Sequence, residues 1–372
     1  MNDTPQKPAR PKAPPRRPGL FMKQANMLRM VYCLIPVVLS GVYFFGWRAG
    51  AVVSVCVVAA LITERITSRA RGQAISTACL VTALLYALSL PPTVPLWIAV
   101  VGMVVGVLFG KEVFGGFGRN FANPAIVGRA FVYICFPVEL TGRFVPAFKG
   151  FPGGLAQWSF ESLSRMPTYL AESGGKVADA ISQASPMWVA RQYGLEAVAN
   201  SGRGASMWDM ALGSVGGTFQ AGGESVGRVL TSGCIGEGCA ALIALTAVYL
   251  LWTKTAKWRL MIGGFAGLIV ANVLFRTVLG FDGIGQVPPL LWQLLSGTTM
   301  FAVVYMITEP VSAPRKNTAQ IAYAFGIGFL IIVLRWRGIF VAAATFSILL
   351  GNLVAPLLDA GVEAWERRGS QK

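Results

Sequence analysis

Long apolar runs separated by short polar connections characterise the chain from about residue 30 to residue 358. A helix needs about 20 mainly apolar residues to cross the ~30 Å hydrocarbon core of a bilayer. Several runs are shorter, which predicts helices of small tilt or half-helices. We predict transmembrane helices at 30–47, 49–63, 73–90, 94–110, 122–138, 235–252, 259–277, 289–308, 319–334 and 338–358. The predicted fold class is an all-α, polytopic membrane protein with about ten transmembrane helices, short half-helices and one large external loop.

Polar and proline-rich stretches divide the chain further. Residues 1–26 are rich in Pro, Lys and Arg and lack an apolar core, which is typical of a disordered tail. The predicted regions are this basic cytoplasmic tail (1–26), a first membrane half (27–140), an external loop region (141–234), a second membrane half (235–360) and a cytoplasmic tail (361–372). Within the loop region, "MWDMALGSVGG" (207–217) is predicted to dip into the membrane surface.

The net charge of +16 does not indicate a partner nucleic acid. Only 13% of the residues are charged, against about 25% in soluble domains, and most Lys and Arg residues lie in the short connections. Placing the N-terminus in the cytoplasm puts nearly all of these basic groups on the same side, as the positive-inside rule requires. Arg335 and Arg337 are the exceptions. We therefore expect a multi-pass protein of the cell inner (plasma) membrane with both termini cytoplasmic.

The sequence contains no His. This excludes haem held by His and a Ser-His-Asp hydrolase, and it removes the usual general base at neutral pH. No G-x-G-x-x-G follows a predicted strand, so the chain cannot oxidise NADH alone.

Four acidic residues lie at the ends of apolar runs, and an unpaired carboxylate in hydrocarbon is costly. The candidates for a Na⁺ or H⁺ pathway are Glu112, Glu237, Glu309 and Asp359. Carboxylate oxygens suit such hard cations. The alternative for each is an interfacial helix-end residue that reaches water, and for Glu237 the alternative is to stabilise a helix N-terminus.

The connection "GKEVFGGFGRNFANPAIVGRAF" (110–131) has the features of a ligand-binding loop. Its glycines allow positive φ and close backbone approach, and its Arg and Asn side chains supply donors for a planar or anionic ligand. The residues expected to bind a flavin or quinone are Gly115, Gly116, Arg119, Asn120 and Asn123. Pro124 is expected to open the next helix.

The decapeptide "DAISQASPMW" (179–188) is a polar island in the external loop region. Asp179, Ser182 and Ser185 are residue types that cap helices, and Pro186 suits a first helical turn. Propensity alone predicts a cap or a turn.

Several long motifs, in order along the chain, resemble one family of membrane redox proteins. They are "LPPTVPLW" (90–97), "GKEVFGGFGRNFANPAIVGRAF" (110–131), "TEPVSAP" (308–314), "NTAQIAYAFGIGF" (317–329) and "NLVAPLLD" (352–359). They resemble the B subunit of the Na⁺-translocating NADH:quinone oxidoreductases and the related D subunit of the Rnf-type ferredoxin:NAD⁺ oxidoreductases, which "YFFGW" (43–47) also resembles. The resemblance extends over about residues 30–360.

In that family a flavin transferase attaches FMN through a phosphoester to a hydroxyl residue in a motif Asp-x-x-Ser/Thr-Gly-Ala-Thr/Ser. The decapeptide matches this motif, with Gln183 where the family has Gly. The resemblance therefore implies covalent FMN at Ser185. The candidate flavin-attachment residues are Asp179, Ser182, Ala184, Ser185 and Pro186. The family also implies a non-covalent riboflavin and a quinone in the membrane part.

The resemblance implies a membrane component of a redox-driven Na⁺ or H⁺ pump, which carries electrons through covalent FMN towards riboflavin or quinone and is not catalytic alone. The implied partners are the other subunits of the complex, a flavin transferase, quinone and lipid. The D subunit of an Rnf-type complex is one alternative. A secondary transporter is another, because many spans and intramembrane carboxylates suit transport. An uncoupled scaffold paralogue is a third, since "GCIGEGC" (233–239) and "FVAA" (340–343) depart from the family's pattern.

Overall fold

The computed structural model describes residues 21–22, 24–142, 144–148, 150–158, 186–195, 206–220, 227–283, 287–337 and 342–370. This part of the chain is mainly helical. The helices of the membrane part are α1 (Ala25–Phe45), α2 (Trp47–Ala70), α3 (Ala78–Leu88), α4 (Leu96–Val107), α5 (Pro124–Cys135), α9 (Ala240–Trp252), α10 (Trp258–Val273), α11 (Leu290–Leu295), α12 (Thr299–Phe301), α13 (Asn317–Ile332) and α14 (Ala343–Ser370). Shorter helices connect them: α6 (Pro137–Thr141), α7 (Pro186–Tyr193) and α8 (Met207–Leu212).

The strands are short. A parallel pair joins β1 (Phe21–Met22) to β2 (Ile75–Ser76), with Phe21 opposite Ile75. An antiparallel pair joins β3 (Gly217–Gln220) to β4 (Gly227–Leu230). Two 3₁₀ turns cover Gly153–Ala156 and Ile235–Glu237.

Each of the ten apolar runs contains a helix, so the predicted all-α membrane fold is confirmed. Within the described residues, five helices are long and apolar enough to span a membrane: Ala25–Phe45, Trp47–Ala70, Trp258–Val278, Asn317–Trp336 and Ala343–Arg368. Ala78–Leu88, Pro124–Cys135 and Ala240–Trp252 are shorter apolar helices. A helix pairs its backbone N–H and C=O groups internally, which is necessary because the hydrocarbon of a bilayer offers them no hydrogen-bond partners. The ends differ from prediction: α1 already begins at Ala25, and α14 continues through Ser370.

In the described part of the chain, four helices end in a π-helical turn. These turns are Leu108–Glu112 after α4, Leu274–Val278 after α10, Ala302–Met306 after α12 and Val333–Arg337 after α13. The run 289–308 is broken between α11 and α12, where Gly297 has φ +69°. The break in this run matches the predicted half-helices. Because π-turns occur often at functional sites, the charged residues in them are of interest.

Glycines set the closest helix contacts. A Cβ at Gly128 of α5 would meet the carbonyl oxygen of Gly102 in α4, and one at Gly106 would lie 2.5 Å from the Pro124 carbonyl oxygen. In the second half, a Cβ at Gly267 of α10 would meet the Phe325 carbonyl oxygen of α13. Small residues let membrane helices approach to backbone contact, because lipid provides no hydrophobic driving force between them.

Contacts define two ends of the bundle. At one, which we call the basic end, Arg29 donates to the Thr253 carbonyl oxygen (3.1 Å), and the β1–β2 pair joins the N-terminal segment to the α2–α3 connection. At the other, which we call the loop end, the Ile235 amide donates to Leu90 O (3.0 Å). There the buried Arg48 donates to backbone carbonyls of the 92–94 segment.

The predicted re-entrant segment forms the six-residue helix α8. Ser206 and Asp209 make a reciprocal capping box at its start, and Gly213 ends it with φ +87°. Met210 is buried against the bundle, whereas Trp208 is 78% exposed. Entry of this helix into the membrane surface stays a prediction.

Candidate functional site

A cavity of about 110 Å³ lies at the loop end, between the two halves of the bundle. We call it the outer cavity. Its lining includes Arg129 of α5, residues of the 232–238 segment before α9, the 295–298 break between α11 and α12, Arg335 of the last π-turn, and Met187 of α7. Both membrane halves and the external region therefore contribute to one site.

Arg335 brings a buried positive charge to this cavity, with 5% of its surface exposed. Its Nη1 donates to Thr299 Oγ1 at 2.6 Å, and its Nη2 lies 3.5 Å from Thr298 Oγ1. Its Nε has no hydrogen-bond partner among the described residues, and neither has the nearby Ser296 Oγ. Arg335 is one of the two residues that violate the positive-inside pattern, and the structure gives it a buried polar setting.

Arg129 is the second guanidinium on the outer cavity. Its Nη1 donates to the Ser89 carbonyl oxygen, and its Nη2 lies 3.5 Å from Cys234 Sγ. Burial raises the pKa of the Cys234 thiol, so the sulfur stays neutral and does not cancel the arginine charge. Glu237 is the carboxylate of the lining, against two arginines. With buried Nε donors unpaired on both arginines among the described residues, the cavity suits an anionic or acceptor-rich ligand.

Helix α7 ties the polar decapeptide to this cavity. Asp179, Ser182, Ala184 and Ser185 lie outside the described residues. Pro186 is the first residue of α7, as its position in the motif suggests. Met187 follows it in the cavity wall, where its Cε would lie 2.9 Å from a Cβ at Gly297. Further along α7, Arg191 donates to the Arg335 carbonyl oxygen at 3.3 Å. Ser185 is therefore separated in sequence by Pro186 alone from a residue of the cavity wall.

A buried ion pair joins α2 to the first π-turn at the basic end. Lys111 Nζ lies 2.6 Å from Glu64 Oε2 and 2.7 Å from Ser76 Oγ. The amide and hydroxyl of Ser76 both donate to Glu64 Oε1, at 2.8 and 2.7 Å. Glu64 and Lys111 are 3% and 2% exposed. Both Glu64 oxygens and the Lys111 ammonium have hydrogen-bond partners, which lowers the penalty for burying the two charges.

Glu112, next in the chain, has a different environment. Arg71 Nη2 forms an ion pair with its Oε2, and Thr67 Oγ1 donates to the same oxygen at 2.8 Å. The other oxygen, Oε1, accepts no hydrogen bond from the described residues and lies 3.8 Å from Lys111 Nζ. Glu112 is thus a buried carboxylate with one free acceptor in the described part of the chain.

The glycine loop adopts the positive φ values expected of it, +108° at Gly115 and +92° at Gly116. Its neighbours are side chains of the protein itself. A Cβ at Gly115 would lie 3.1 Å from Arg119 Cδ, and one at Gly116 would lie 3.1 Å from Arg71 Nη2. Asn123 caps α5 by accepting from the Ala125 amide (3.0 Å), and Pro124 opens this helix as predicted.

One of the cavities beside this loop is small. A cavity of about 30 Å³ there is lined by Lys111, Asn120, Asn123 and Glu309, among others. This is the volume of about one water molecule, and Asn120 Oδ1 is buried without a partner in the described structure. This small cavity does not admit a riboflavin or quinone ring, and binding of such a ring by the loop residues stays a prediction.

The four predicted carboxylates do not converge. Within the described residues, no cluster of three or more acidic or Cys side chains is placed to hold a metal ion. Glu237 lies at the outer cavity, whereas Glu309 lines the small basic-end cavity. Glu309 accepts from the Val311 and Ser312 amides (3.2 and 2.8 Å), and burial of its carboxyl raises its pKa. Asp359 accepts from the amides of Arg315 and Lys316, at 2.9–3.1 Å, and so fixes the segment that leads into α13.

Comparison with known proteins shows the family of this chain. The model of the NQR2, RnfD, RnfE family matches residues 21–365, nearly the whole chain. The chain belongs to the NQR2, RnfD, RnfE family. The B subunit of the Na⁺-translocating NADH-quinone reductase of Azotobacter vinelandii is 32% identical over 273 residues, covering 73% of this chain and 56% of that protein. The corresponding B subunits of Chromohalobacter salexigens and Pseudomonas aeruginosa are also 32% identical, covering 55% and 56% of their lengths.

The matched segment thus spans about half the length of these curated relatives. Membership of the NQR2, RnfD, RnfE family confirms the resemblance inferred from the motifs. It agrees with the multi-pass membrane character of the structure.

In this member of the NQR2, RnfD, RnfE family, sequence reasoning missed most charged partners of the site. Arg129, Glu64 and Lys111 were not selected, because each is one polar residue within or beside an apolar run. Arg71 is one of several basic residues of the short connections, and the charge pattern does not distinguish it from the others. Arg335 carried a usable signal, since an arginine on the wrong side of the charge pattern requires a structural or functional reason.

Proposed function

We propose that this chain is the membrane subunit of a redox-driven cation pump of the NADH:quinone oxidoreductase type. Family membership supports the proposal, as do the names of the relatives, which are B subunits of a Na⁺-translocating NADH-quinone reductase. The chain is not catalytic alone in this proposal. Other subunits oxidise NADH, and quinone accepts the electrons.

The second element of the proposal is covalent FMN on Ser185, attached by a flavin transferase. The observation that carries it is the outer cavity, whose wall contains Met187, two residues after Ser185. The donor set fits the group: Arg129 Nε, Arg335 Nε and Ser296 Oγ are buried and unpaired among the described residues. A flavin presents ring carbonyls, ring nitrogens and a phosphate, all of which are acceptors. When bound, FMN supplies one- and two-electron transfer.

In this proposal the protein groups position the flavin and set its electrostatic environment. Arg335 is oriented by Thr299 and by the buried setting of its π-turn, and Arg129 is fixed by Ser89 and Cys234. The positive charges of Arg129 and Arg335 exceed the single negative charge of Glu237. This excess favours a ligand that gains negative charge on reduction. The arginines would therefore hold the phosphate or the reduced ring.

The third element is a cation route that begins at Glu112 on the basic end. Its buried carboxylate has a free oxygen, Oε1, within the described residues. Asp359 and Glu309 use their oxygens on backbone amides, so we assign them structural roles. The transported ion is Na⁺ or H⁺. The distribution of basic residues supports an inner-membrane location with this end and both termini in the cytoplasm.

An Rnf-type complex is the second candidate, because the matching family includes RnfD as well as NQR2. The two differ in the electron donor, and purified complex reduced by NADH without ferredoxin would favour the first.

Covalent flavin is tested by in-gel fluorescence of the protein expressed with a flavin transferase. The wild-type band should fluoresce under ultraviolet light after denaturation, and Ser185→Ala should be dark at equal protein load. Ser173→Ala is the matched control, since it removes a hydroxyl from the same external region outside the motif and should retain fluorescence. A dark wild-type band, or a fluorescent Ser185→Ala band, would refute attachment at Ser185.

A further inference from the structure

The basic end contains a cavity of about 420 Å³ that we call the vestibule. Its lining includes Phe21 and Met22 of β1, the carboxylates Glu64 and Glu112, and Arg71. The strand β1 forms part of its wall through its pairing with β2. The vestibule is therefore a chamber at the basic end, in contact with the buried charge cluster.

The cluster on the vestibule is balanced in formal charge. Lys111 and Arg71 carry two positive charges, and Glu64 and Glu112 carry two negative charges. A further cation that approached Glu112 would leave one positive charge uncompensated in a buried place, which is costly. Entry of a cation therefore requires one of the two basic side chains to leave.

The two basic side chains are held very differently. Lys111 is 3% exposed and bonded to Glu64 and Ser76. The Arg71 side chain is 28% exposed and borders the vestibule. Its remaining contacts are Gln73 Oε1 at 3.3 Å and the Glu112 carbonyl oxygen at 3.3 Å. Arg71 has room to move into the vestibule, whereas Lys111 does not.

We propose that Arg71 is a built-in counter-cation of Glu112, which a Na⁺ ion entering from the vestibule displaces. This inference rests on the proposed role of Glu112 in the cation route. Displacement frees Oε2, so that both carboxylate oxygens and Thr67 Oγ1 face the ion, and these are oxygen ligands of the kind hard cations prefer. When the ion moves on, Arg71 returns and Glu112 is never left as an unpaired buried charge.

The glycine loop has a function in this proposal. Gly116 has φ +92°, and a Cβ there would lie 3.1 Å from Arg71 Nη2. A side chain at this position would press on the guanidinium. The glycine thus leaves space for Arg71 beside Glu112.

Competition by Arg71 makes a prediction with a definite sign. The apparent affinity of a site is proportional to the fraction of time for which the site is free to bind. A site that is blocked about nine-tenths of the time therefore binds its ion about tenfold more weakly. In the whole complex, Arg71→Gln should lower the half-saturating NaCl concentration for quinone reduction roughly tenfold. Arg71→Lys keeps the charge and should stay close to wild type. Arg69→Gln, which removes an exposed charge from the same turn, is the control and should not shift the curve.

The variant Glu112→Gln distinguishes failure of the proposed cation route from failure of the counter-cation inference. If Glu112→Gln leaves the NaCl dependence of the rate unchanged, Glu112 does not bind a transported Na⁺, and both the Na⁺ route through Glu112 and the counter-cation inference are refuted. If Glu112→Gln weakens the NaCl dependence but Arg71→Gln leaves the half-saturating concentration unchanged or raises it, the counter-cation inference alone is overturned.

A measurement on the wild-type complex avoids any failure of variants to assemble. Release of Arg71 should loosen the Arg71–Gln73 contact and the start of the α2–β2 connection. Hydrogen exchange in peptides covering 69–77 should therefore be faster in NaCl than in choline chloride at equal ionic strength. Exchange that is equal or slower in NaCl would overturn the inference.

Discussion

Replacing Lys111 by Met tests whether the buried ion pair of the basic end is as important for folding as its geometry indicates. Lys111 Nζ lies 2.6 Å from Glu64 Oε2, and the two side chains are 3% and 4% exposed. Removing one partner leaves the other as an uncompensated buried charge, which costs about 3–5 kcal/mol. We therefore expect Lys111→Met to lower the free energy of unfolding by about 3–5 kcal/mol.

The chain offers a matched control at nearly the same distance. Lys316 Nζ lies 2.7 Å from Glu366 Oε2, but these side chains are 36% and 49% exposed. Because water screens an exposed pair, Lys316→Met should have little or no effect on stability. The double variant Glu64→Met/Lys111→Met should recover much of the loss, since apolar residues of similar volume can replace a buried pair.

The assay is SDS-induced unfolding in mixed micelles, followed by tryptophan fluorescence. The free energy of unfolding is compared among wild type, Lys111→Met, Glu64→Met, Lys316→Met and the double variant. Equal effects of the two lysine substitutions would refute the reasoning from burial. A double variant that loses as much as the sum of its single variants would refute the pairing of Glu64 with Lys111.

Three further outcomes follow from the structure. Gly267→Ala should destabilise the α10–α13 contact by about 1–3 kcal/mol, measured by the same unfolding assay, while Gly326→Ala, with open space at its Cβ, should be neutral. Asp359→Ala should cost about 0.5–1.5 kcal/mol through the lost hydrogen bonds from the Arg315 and Lys316 amides and leave the half-saturating NaCl concentration unchanged; a changed value would assign Asp359 to the cation route. Arg335→Met should lower the reduction potential of the bound flavin, measured by spectroelectrochemistry, whereas Arg276→Met, at a residue not among those lining the outer cavity, should not.

Hydrophobic pattern alone located the membrane helices, because the need to span hydrocarbon constrains the length and composition of each run. It could not locate the helix ends, which depend on local bonds such as the Asn123 cap of α5. The hydrophobic pattern also does not predict the π-turns, although the break at Gly297 agrees with the predicted half-helices.

The candidate site was only partly predictable. Glu112 was selected from its place at a helix end, but its partners Arg71 and Thr67 are 41 and 45 residues away in the chain. Pairing over such separations is decided by the packing of helices and leaves no local sequence signal. The glycine loop was expected to receive a flat ring, and the structure places the arginines Arg71 and Arg119 beside its glycines.

The proposed function depends most on covalent attachment of FMN to Ser185. The most direct test is mass spectrometry of the peptide that contains Ser185, prepared from active complex. We predict that this peptide carries the mass of FMN less one water, with the fragment ions placing it on Ser185. An unmodified peptide from active complex would contradict the claim.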